Sequence, residues 1–312
     1  MLECGVQTKN VVYDDNPMEG FEMLSKAGFT CCDFSLNSYL YNKDIYAGNL
    51  NGFFSKSTEE LLEFFTPHKE AAQKARIRIN QMHMPYPVFV YTLDDKINDF
   101  LWNNIPMKSM EICKFLGCKN IVIHGLKLTK YLGTEELEWE KTKEFLELVA
   151  PFAADNGITI CMENLYDGVA GHLVEGPGCD VRKAIKRIDD FNSRYGAEVL
   201  GFCFDIGHAN LVGLDFYDFI TSLGSRLKVL HLHDNDGMSD LHQLPFTFTK
   251  TRENNSSTNW PAFIQALKDI CFDGVLSFET APVLDSFPPE MKFAVLKFIR
   301  ETGTYLASEI EK

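Results

Sequence analysis

Eight times along the chain, a short apolar segment suited to a buried strand alternates with a segment of helical period. The extended candidates are ECGVQ (3–7), TCCDFSL (30–36), the end of KARIRINQMHM (74–84), NIVIHGL (120–126), ITICMEN (158–164), VLGFCFDIGH (199–208), KVLHLHD (228–234) and GVLSFET (274–280). Helical spacing falls on 17–29, Thr58–Ala75, Asp94–Leu116, Thr134–Asn156, Cys179–Tyr195, Leu214–Leu223, Trp260–Ile270 and Pro289–Glu301. Strands that alternate with helices pair in parallel through helical crossovers. Eight such units predict an α/β chain closed into a (β/α)8 TIM barrel. No linker, composition break or internal repeat divides it, so residues 1–312 read as one domain. At 312 residues with 45% hydrophobic content, the chain can bury a barrel-sized core.

Punctuation supports the same reading. Gly28, Gly117, Gly157, Gly196 and Gly274 each stand between a helix and the next strand, where a left-handed cap residue is expected. The stretch Asn37–Ser57, rich in Tyr, Asn and Gly, reads as a long loop, and the polar TKTRENNSSTN (249–259) as a short one. No Gly-x-Gly-x-x-Gly follows the first strand and no phosphate-loop motif occurs, so neither nucleotide fold is signalled.

The net charge of −14 argues against general affinity for nucleic acid, which needs Lys and Arg at many phosphates. The 9 cysteines are odd in number, scattered, and include Cys113, Cys161, Cys203 and Cys271 in apolar runs. They predict reduced, mostly buried thiols in a cytoplasmic protein. The N-terminal residues lack a signal-peptide pattern, and no apolar run is long enough to span a bilayer.

Polar residues gather at the carboxyl ends of the predicted strands. His83 ends the third, His124 the fourth, Glu163 the fifth and Asp205 the sixth, with His208 three residues on. His231 ends the seventh, Asp240 and His242 follow in its loop, and Glu279 ends the eighth. In a barrel these ends converge on one face, where active sites are built. A lone charge at the end of an apolar strand is costly unless paired. One divalent cation would remove that cost for Glu163, Asp205, His231 and Glu279 together. Carboxylates with imidazole suit Mn²⁺, Zn²⁺, Mg²⁺ or Co²⁺. His68 and His172 carry no such pattern and read as surface or loop residues. His233 lies on the strand face of His231, deeper into the turn. Asp234 and Asp236 read as turn-shaping residues.

Taken in order, HMPYP, IHG, CMENL, CFDIGHANL, HLHDNDG…DLHQLP and SFET resemble the sugar phosphate isomerase/epimerase family of xylose-isomerase-like TIM barrels. That superfamily includes D-tagatose 3-epimerase, inosose dehydratase and endonuclease IV. The resemblance covers strands three to eight, about two thirds of the chain. It implies one divalent metal held by Glu163, Asp205, His231 and Glu279, with His208 resembling a substrate-binding histidine. It implies a small sugar or polyol substrate, no membrane partner, and compatibility with a homo-oligomer. Glu163 and Glu279 would serve as acid and base through an enediolate, with the metal polarising the carbonyl. Return of the proton to the opposite face gives epimerisation, and return to the adjacent carbon gives isomerisation. Loss of a β-hydroxyl gives dehydration, as in the inosose branch.

Two positions depart from the sugar epimerases. Where these carry a second Glu and an Arg, this chain has Val169 and Gly237. No Arg–Gly cluster suggests a phosphate cradle, which favours an unphosphorylated substrate. Phe246 and Phe248 either wall the site or cover the rim. A second reading also follows from the resemblance. Endonuclease IV holds three zinc ions with nine ligands, and residues of matching type stand here at His83, His124, Glu163, Asp205, His208, His231, Asp240, His242 and Glu279.

Overall fold

The computed structural model describes residues 2–248 and 258–312. The polar segment read as a short loop lies, over residues 249–257, outside them. Eight parallel strands form the barrel: β1 (Glu3–Gln7), β2 (Cys31–Ser35), β3 (Arg78–His83), β4 (Asn120–Ile123), β5 (Thr159–Glu163), β8 (Leu200–Asp205), β9 (Leu227–His231) and β10 (Val275–Phe278). Two further strands, β6 (Tyr166–Val169) and β7 (His172–Glu175), make an antiparallel hairpin after β5. Around the ring the order is β10-β1-β2-β3-β4-β5-β8-β9. Closure comes from a parallel bridge between Leu232 and Phe278, with the Leu232 N–H donating to Ser277 O at 2.8 Å.

The helices are α1 (Pro17–Ala27), α2 (Asn42–Tyr46), α3 (Thr58–Ala75), α4 (Asp95–Phe115), α5 (Glu135–Asn156), α6 (Val181–Tyr195), α7 (Ile206–Val212), α8 (Phe216–Leu223), α9 (Trp260–Asp269), α10 (Ala281–Asp285) and α11 (Lys292–Ile310). Local chemistry sets their starts. Ser57 and Glu60 exchange side-chain and backbone hydrogen bonds in a capping box before α3. Asp94 caps α4 and Asp180 caps α6.

Several readings change. The stretch Asn37–Ser57 is not one irregular loop: it carries α2 and 3-10 turns at Leu36–Tyr39 and Phe53–Ser55. The sixth strand stops at Asp205, because that side chain caps α7 by accepting the His208 N–H at 2.6 Å. The last helix starts after a 3-10 turn at Pro289–Met291 and runs beyond Glu301 to Ile310. Gly28, Gly117, Gly157 and Gly196 take left-handed φ, but Gly274 does not. Cys271 takes that conformation after α9, with φ 52°. Gly274 serves packing instead, since a Cβ there would lie 2.4 Å from Phe272 Cζ. Cys271 is exposed rather than buried, and the other eight cysteines are buried and unbridged. His68 is a core residue of α3, packed on Phe34 and Phe65 and held by Asp14 at 3.0 Å. His172 is exposed, on the hairpin. No described helix is long and apolar enough to cross a membrane.

The interior of the barrel is layered. Val122, Cys161, Cys203 and Val229 form a small buried cluster on four adjacent strands. Strand side chains repeat every two residues on one face. The next inward positions are therefore His124, Glu163, Asp205 and His231, so a polar layer sits directly above a small apolar one.

Gly303 lets α11 lie close on the barrel wall. A Cβ there would meet Cys4 Sγ at 2.7 Å and Phe278 Cε2 at 2.9 Å. At an exposed helix site, Gly→Ala stabilises by about 1 kcal/mol. Here overpacking, at about 1–3 kcal/mol, is expected to reverse that sign. Gly303→Ala should therefore lower the urea midpoint, and a raised midpoint would contradict the close packing.

Candidate active site

Glu163 is the centre of the mouth and is 2% exposed. Its Oε2 lies 3.3 Å from His83 Nε2 and 3.1 Å from His124 Nε2. Its Oε1 lies 3.2 Å from both His208 Nδ1 and His231 Nδ1. Four elements thus bring four imidazoles to one carboxylate. His231 Nδ1 also stands 3.7 Å from Asp205 Oδ2 and 3.4 Å from Glu279 Oε2. A third group joins Asp240 to His242 at 3.1 Å and to His208 at 3.4 Å.

Three of these histidines are held through Nδ1. The ring nitrogen donates to a backbone carbonyl in His83 (Met84 O, 2.8 Å), His208 (Asn164 O, 3.0 Å) and His242 (Glu279 O, 2.9 Å). Each Nε2 then faces a carboxylate. Such a fixed tautomer is the usual preparation of a metal-binding histidine. His233 has another task. Its Nε2 sits 3.1 Å from both oxygens of Asp205, and its ring stacks on His242 with centroids 4.0 Å apart. Gly207 makes room, since a Cβ there would fall 1.9 Å from the His233 ring. His233 thus orients Asp205 rather than lining the well.

The donor set fits a divalent cation. Bonds of about 2.0–2.2 Å to N and O leave neighbouring donors roughly 3.0–3.5 Å apart. Measured from His231 Nδ1, Glu163 at 3.2 Å and Glu279 at 3.4 Å meet that spacing, and Asp205 at 3.7 Å lies just beyond it. Asp205, His231 and Glu279 form one compact donor group, and His83, His124 and Glu163 form another. Asp33 stands behind the site, with its Oδ2 3.6 Å from His231 Nε2 and held by Gln81 at 3.3 Å. At that distance Asp33 makes no hydrogen bond to the ring, and His231 Nε2 is buried without a hydrogen-bond partner among the described residues.

Charge balance follows from this crowding. Burial pushes the Glu163 carboxyl up, but His231 and His124 outweigh it and hold it well below the usual range. Burial likewise opposes ionisation of Glu279, yet His231 and His242 bring it down to about 2. Burial pushes His242 down, while its bond to Asp240 and the charge of Glu279 raise it to about 9. Asp33 goes the other way, raised to about 6 by burial.

Every strand-end candidate from the sequence meets at this mouth. Asp234 and Asp236 shape the following turn: Asp234 accepts from Thr258 Oγ1 at 2.6 Å, and Asp236 accepts from the Met238 and Ser239 N–H groups. Phe246 packs on Trp260 and Tyr305 at the rim, away from the well. The sequence reading missed Gln7, Asp33 and Tyr86. Gln7 donates to Glu279 Oε1 at 2.6 Å, and Tyr86 stacks on His124 with centroids 3.6 Å apart. Gln7 ends β1 and Asp33 interrupts β2, so the strand-end criterion used elsewhere would have found both.

Residues 21–301 match the family model described as xylose isomerase-like TIM barrel. An uncharacterized protein of Methanocaldococcus jannaschii is 33% identical over 145 residues, covering 45% of this chain and 43% of its own. The chain thus spans less than half the length of that relative. A second protein of that organism is 25% identical over 281 residues, covering 89% and 88%. The inosose isomerase of Bacillus velezensis is 24% identical over 232 residues, covering 72% and 71%. Among solved structures, 3-keto-D-glucoside 4-epimerase from E. coli aligns over 96% of this chain and 100% of its own, with a TM-score of 0.65 and 13% identity. D-psicose 3-epimerase from Clostridium cellulolyticum aligns over 98% and 99%, with a TM-score of 0.64 and 15% identity. At those identities the structures share the fold.

The pKa shifts set a pH signature for the metal-free protein. His242 titrates near 9 when folded against 6.5 ordinarily, so its contribution is full below about 6.5 and lost as pH rises to 9. Glu279 titrates near 2 against 4.5, so its contribution is full above about 4.5 and lost as pH falls toward 2. Urea midpoints of chelated protein should therefore fall between pH 6.5 and 9, and His242→Gln should flatten that limb. An unchanged slope in the variant would dissociate His242 from the effect.

Proposed function

The chain belongs to the xylose isomerase-like TIM barrel family, and on that premise we propose that it is a divalent-metal-dependent isomerase or epimerase of a sugar or polyol. The observation that carries this reading is the approach of three carboxylates at the barrel mouth, Glu163, Asp205 and Glu279, to within 3.2–3.7 Å of His231 Nδ1. Those four residues would hold the cation, which supplies Lewis-acid polarisation of a carbonyl and its neighbouring hydroxyl. The named epimerases and inosose isomerase among the similar proteins lend support.

The chain's own groups do the proton work. Glu163 and Glu279 stand three places apart around the ring of eight strands, on different walls of the well. Both are held ionised, as a proton acceptor must be. One takes the proton beside the carbonyl; the other, ionised at rest, returns a proton only after taking one up from solvent or from a substrate hydroxyl at the mouth. Gln7 fixes one oxygen of Glu279 and leaves Oε2 toward the well. Return to the opposite face gives the epimer, and return to the neighbouring carbon gives the isomer. Departure of a β-hydroxyl gives a dehydratase.

A specific observation favours a second reading. His83 and His124 present Nε2 to Glu163, and His208 and His242 present Nε2 to Asp240, beyond what one cation needs. Such a set would suit a multi-zinc phosphodiester hydrolase.

Two measurements test the proposal. Glu163→Gln and Glu279→Gln, each saturated with Mn²⁺ and checked for occupancy, should lose about 10²–10⁴-fold in exchange of the substrate α-proton with D₂O. The panel is ketoses, aldoses and inososes followed by NMR. Near-parental exchange in either variant would remove that glutamate from the chemistry. Elemental analysis should give close to one metal per chain, whereas close to three zinc ions with cleavage of abasic-site DNA would establish the second reading.

A further inference from the structure

The well that holds Glu163 and Glu279 has a volume of about 110 Å³. A second cavity of about 280 Å³ lies beside it. Tyr86, His124, His208 and Asp240 line both, so the two adjoin across these four side chains. The outer cavity is walled by Tyr46, Tyr86, Phe89, Tyr91 and Tyr166. The reaction proposed above uses none of its outer residues.

Three separate insertions build this wall. Tyr46 ends α2, in the Tyr-rich stretch that the strand pattern leaves unexplained. Phe89 and Tyr91 lie between β3 and α4, and Tyr166 opens the hairpin after β5. Tyr46 is 55% exposed and Tyr91 is 38% exposed, on the face where the site opens. Large aromatic surface left open there marks a ligand site more readily than a stable wall. The side-chain hydroxyls of Tyr46, Tyr91 and Tyr166 make no hydrogen bond to the described residues, so they remain free for a polar ligand.

Charge narrows the ligand. Among the residues lining the outer cavity the one Lys or Arg is Lys127, ion-paired with Asp167 on the hairpin, while Lys9 lines the inner well. A phosphate or a nucleic-acid backbone would find no unpaired lysine or arginine in the outer cavity. A neutral ligand with apolar faces and hydroxylated edges fits: C–H faces lie on aromatic rings, and hydroxyls meet the tyrosine hydroxyls and the Asn42 side chain.

We propose that this cleft is a glycosyl subsite, so that the preferred substrate is a glycoside or disaccharide whose reacting sugar enters the well while its second ring lies among the tyrosines. The proposal rests on the sugar isomerase/epimerase reading and deepens it.

The test compares each free sugar that exchanges its α-proton with its glycosylated form, using the Mn²⁺-loaded full chain. For a ketohexose the probes are D-fructose against lactulose and isomaltulose. The expected result is a kcat/KM about tenfold higher for a glycosylated form, because aromatic contacts of this kind shift binding by about that factor. Tyr46→Ala and Tyr91→Ala, at exposed positions, should lower the ratio of glycoside to free-sugar kcat/KM by about tenfold. If free sugars exchange as well as their glycosides, the subsite is wrong and the underlying reading stands. A glycoside preference that survives both substitutions also overturns the subsite. Absence of exchange with every free sugar and glycoside overturns the underlying reading and the subsite with it. Binding of a fluorescent single-stranded oligonucleotide at physiological salt, weakened by Tyr46→Ala, would give the cleft to a nucleic acid and overturn the proposal.

Discussion

The buried carboxylate of Glu163 is the constraint around which the carboxyl end of the barrel is arranged. An ionised carboxylate taken from water costs several kcal/mol unless its oxygens are met by charged or hydrogen-bonding partners. Glu163 is met on one oxygen by His83 and His124 and on the other by His208 and His231. Those residues come from β3, the end of β4, α7 and β9. No local segment could supply them. Only a sheet that curls back on itself brings β3 and β9 to the same point, so closure of the barrel and ionisation of Glu163 depend on each other.

The layer beneath makes this geometry affordable in space. Val122, Cys161, Cys203 and Val229 are small, and each lies two residues before a member of the polar layer. Bulky residues there would push the carboxylates and imidazoles upward and apart. Backbone contacts then fix the layer. Asn164 holds the backbone of Asp205 from both sides, donating to its carbonyl and accepting its N–H, each at 2.8 Å. Asp205 in turn caps α7 and accepts from His233. One side chain thus ends a strand, starts a helix and faces the site. Its position is set by three demands at once, which is how a site gains rigidity without a dedicated scaffold.

The parts legible in the sequence are those governed by period and position. Alternation of strand and helix gave the eight-stranded ring, and polar residues ending apolar runs gave His83, His124, Glu163, Asp205, His231 and Glu279. What escaped was set by tertiary contact. His68 carries no motif, and only packing among phenylalanines with Asp14 at its ring makes it a core residue. Gly274 looks like a helix cap, yet the chain turns earlier, at Cys271. The orienting role of His233 requires the empty face of Gly207, a relation between two strand ends that no linear spacing encodes. Asp33 and Gln7 were readable by the same rule as the rest, but they lie in the first two strands, before the familiar motifs begin.

The division between ring and insertions has a consequence for how such a chain can change its substrate. Residues of the polar layer sit on strand ends or one helical turn beyond, and each has partners that a substitution would strand in a buried place. The aromatic wall is different. Tyr46, Tyr91 and Tyr166 belong to α2, the segment after β3 and the hairpin after β5, none of which carries the barrel hydrogen bonds. Replacing Tyr46 or Tyr91 alters the shape of the outer cavity away from the polar layer, whereas Tyr166 packs on the His208 ring with centroids 5.2 Å apart. Loops positioned by a rigid scaffold are where specificity can vary at low structural cost. On the proposed function, the reaction class belongs to the ring and the choice of substrate to the insertions. On that proposal, polar strand ends carry the chemistry, because they are fixed by the barrel, and ligand choice lies in segments whose pattern reads only as loop.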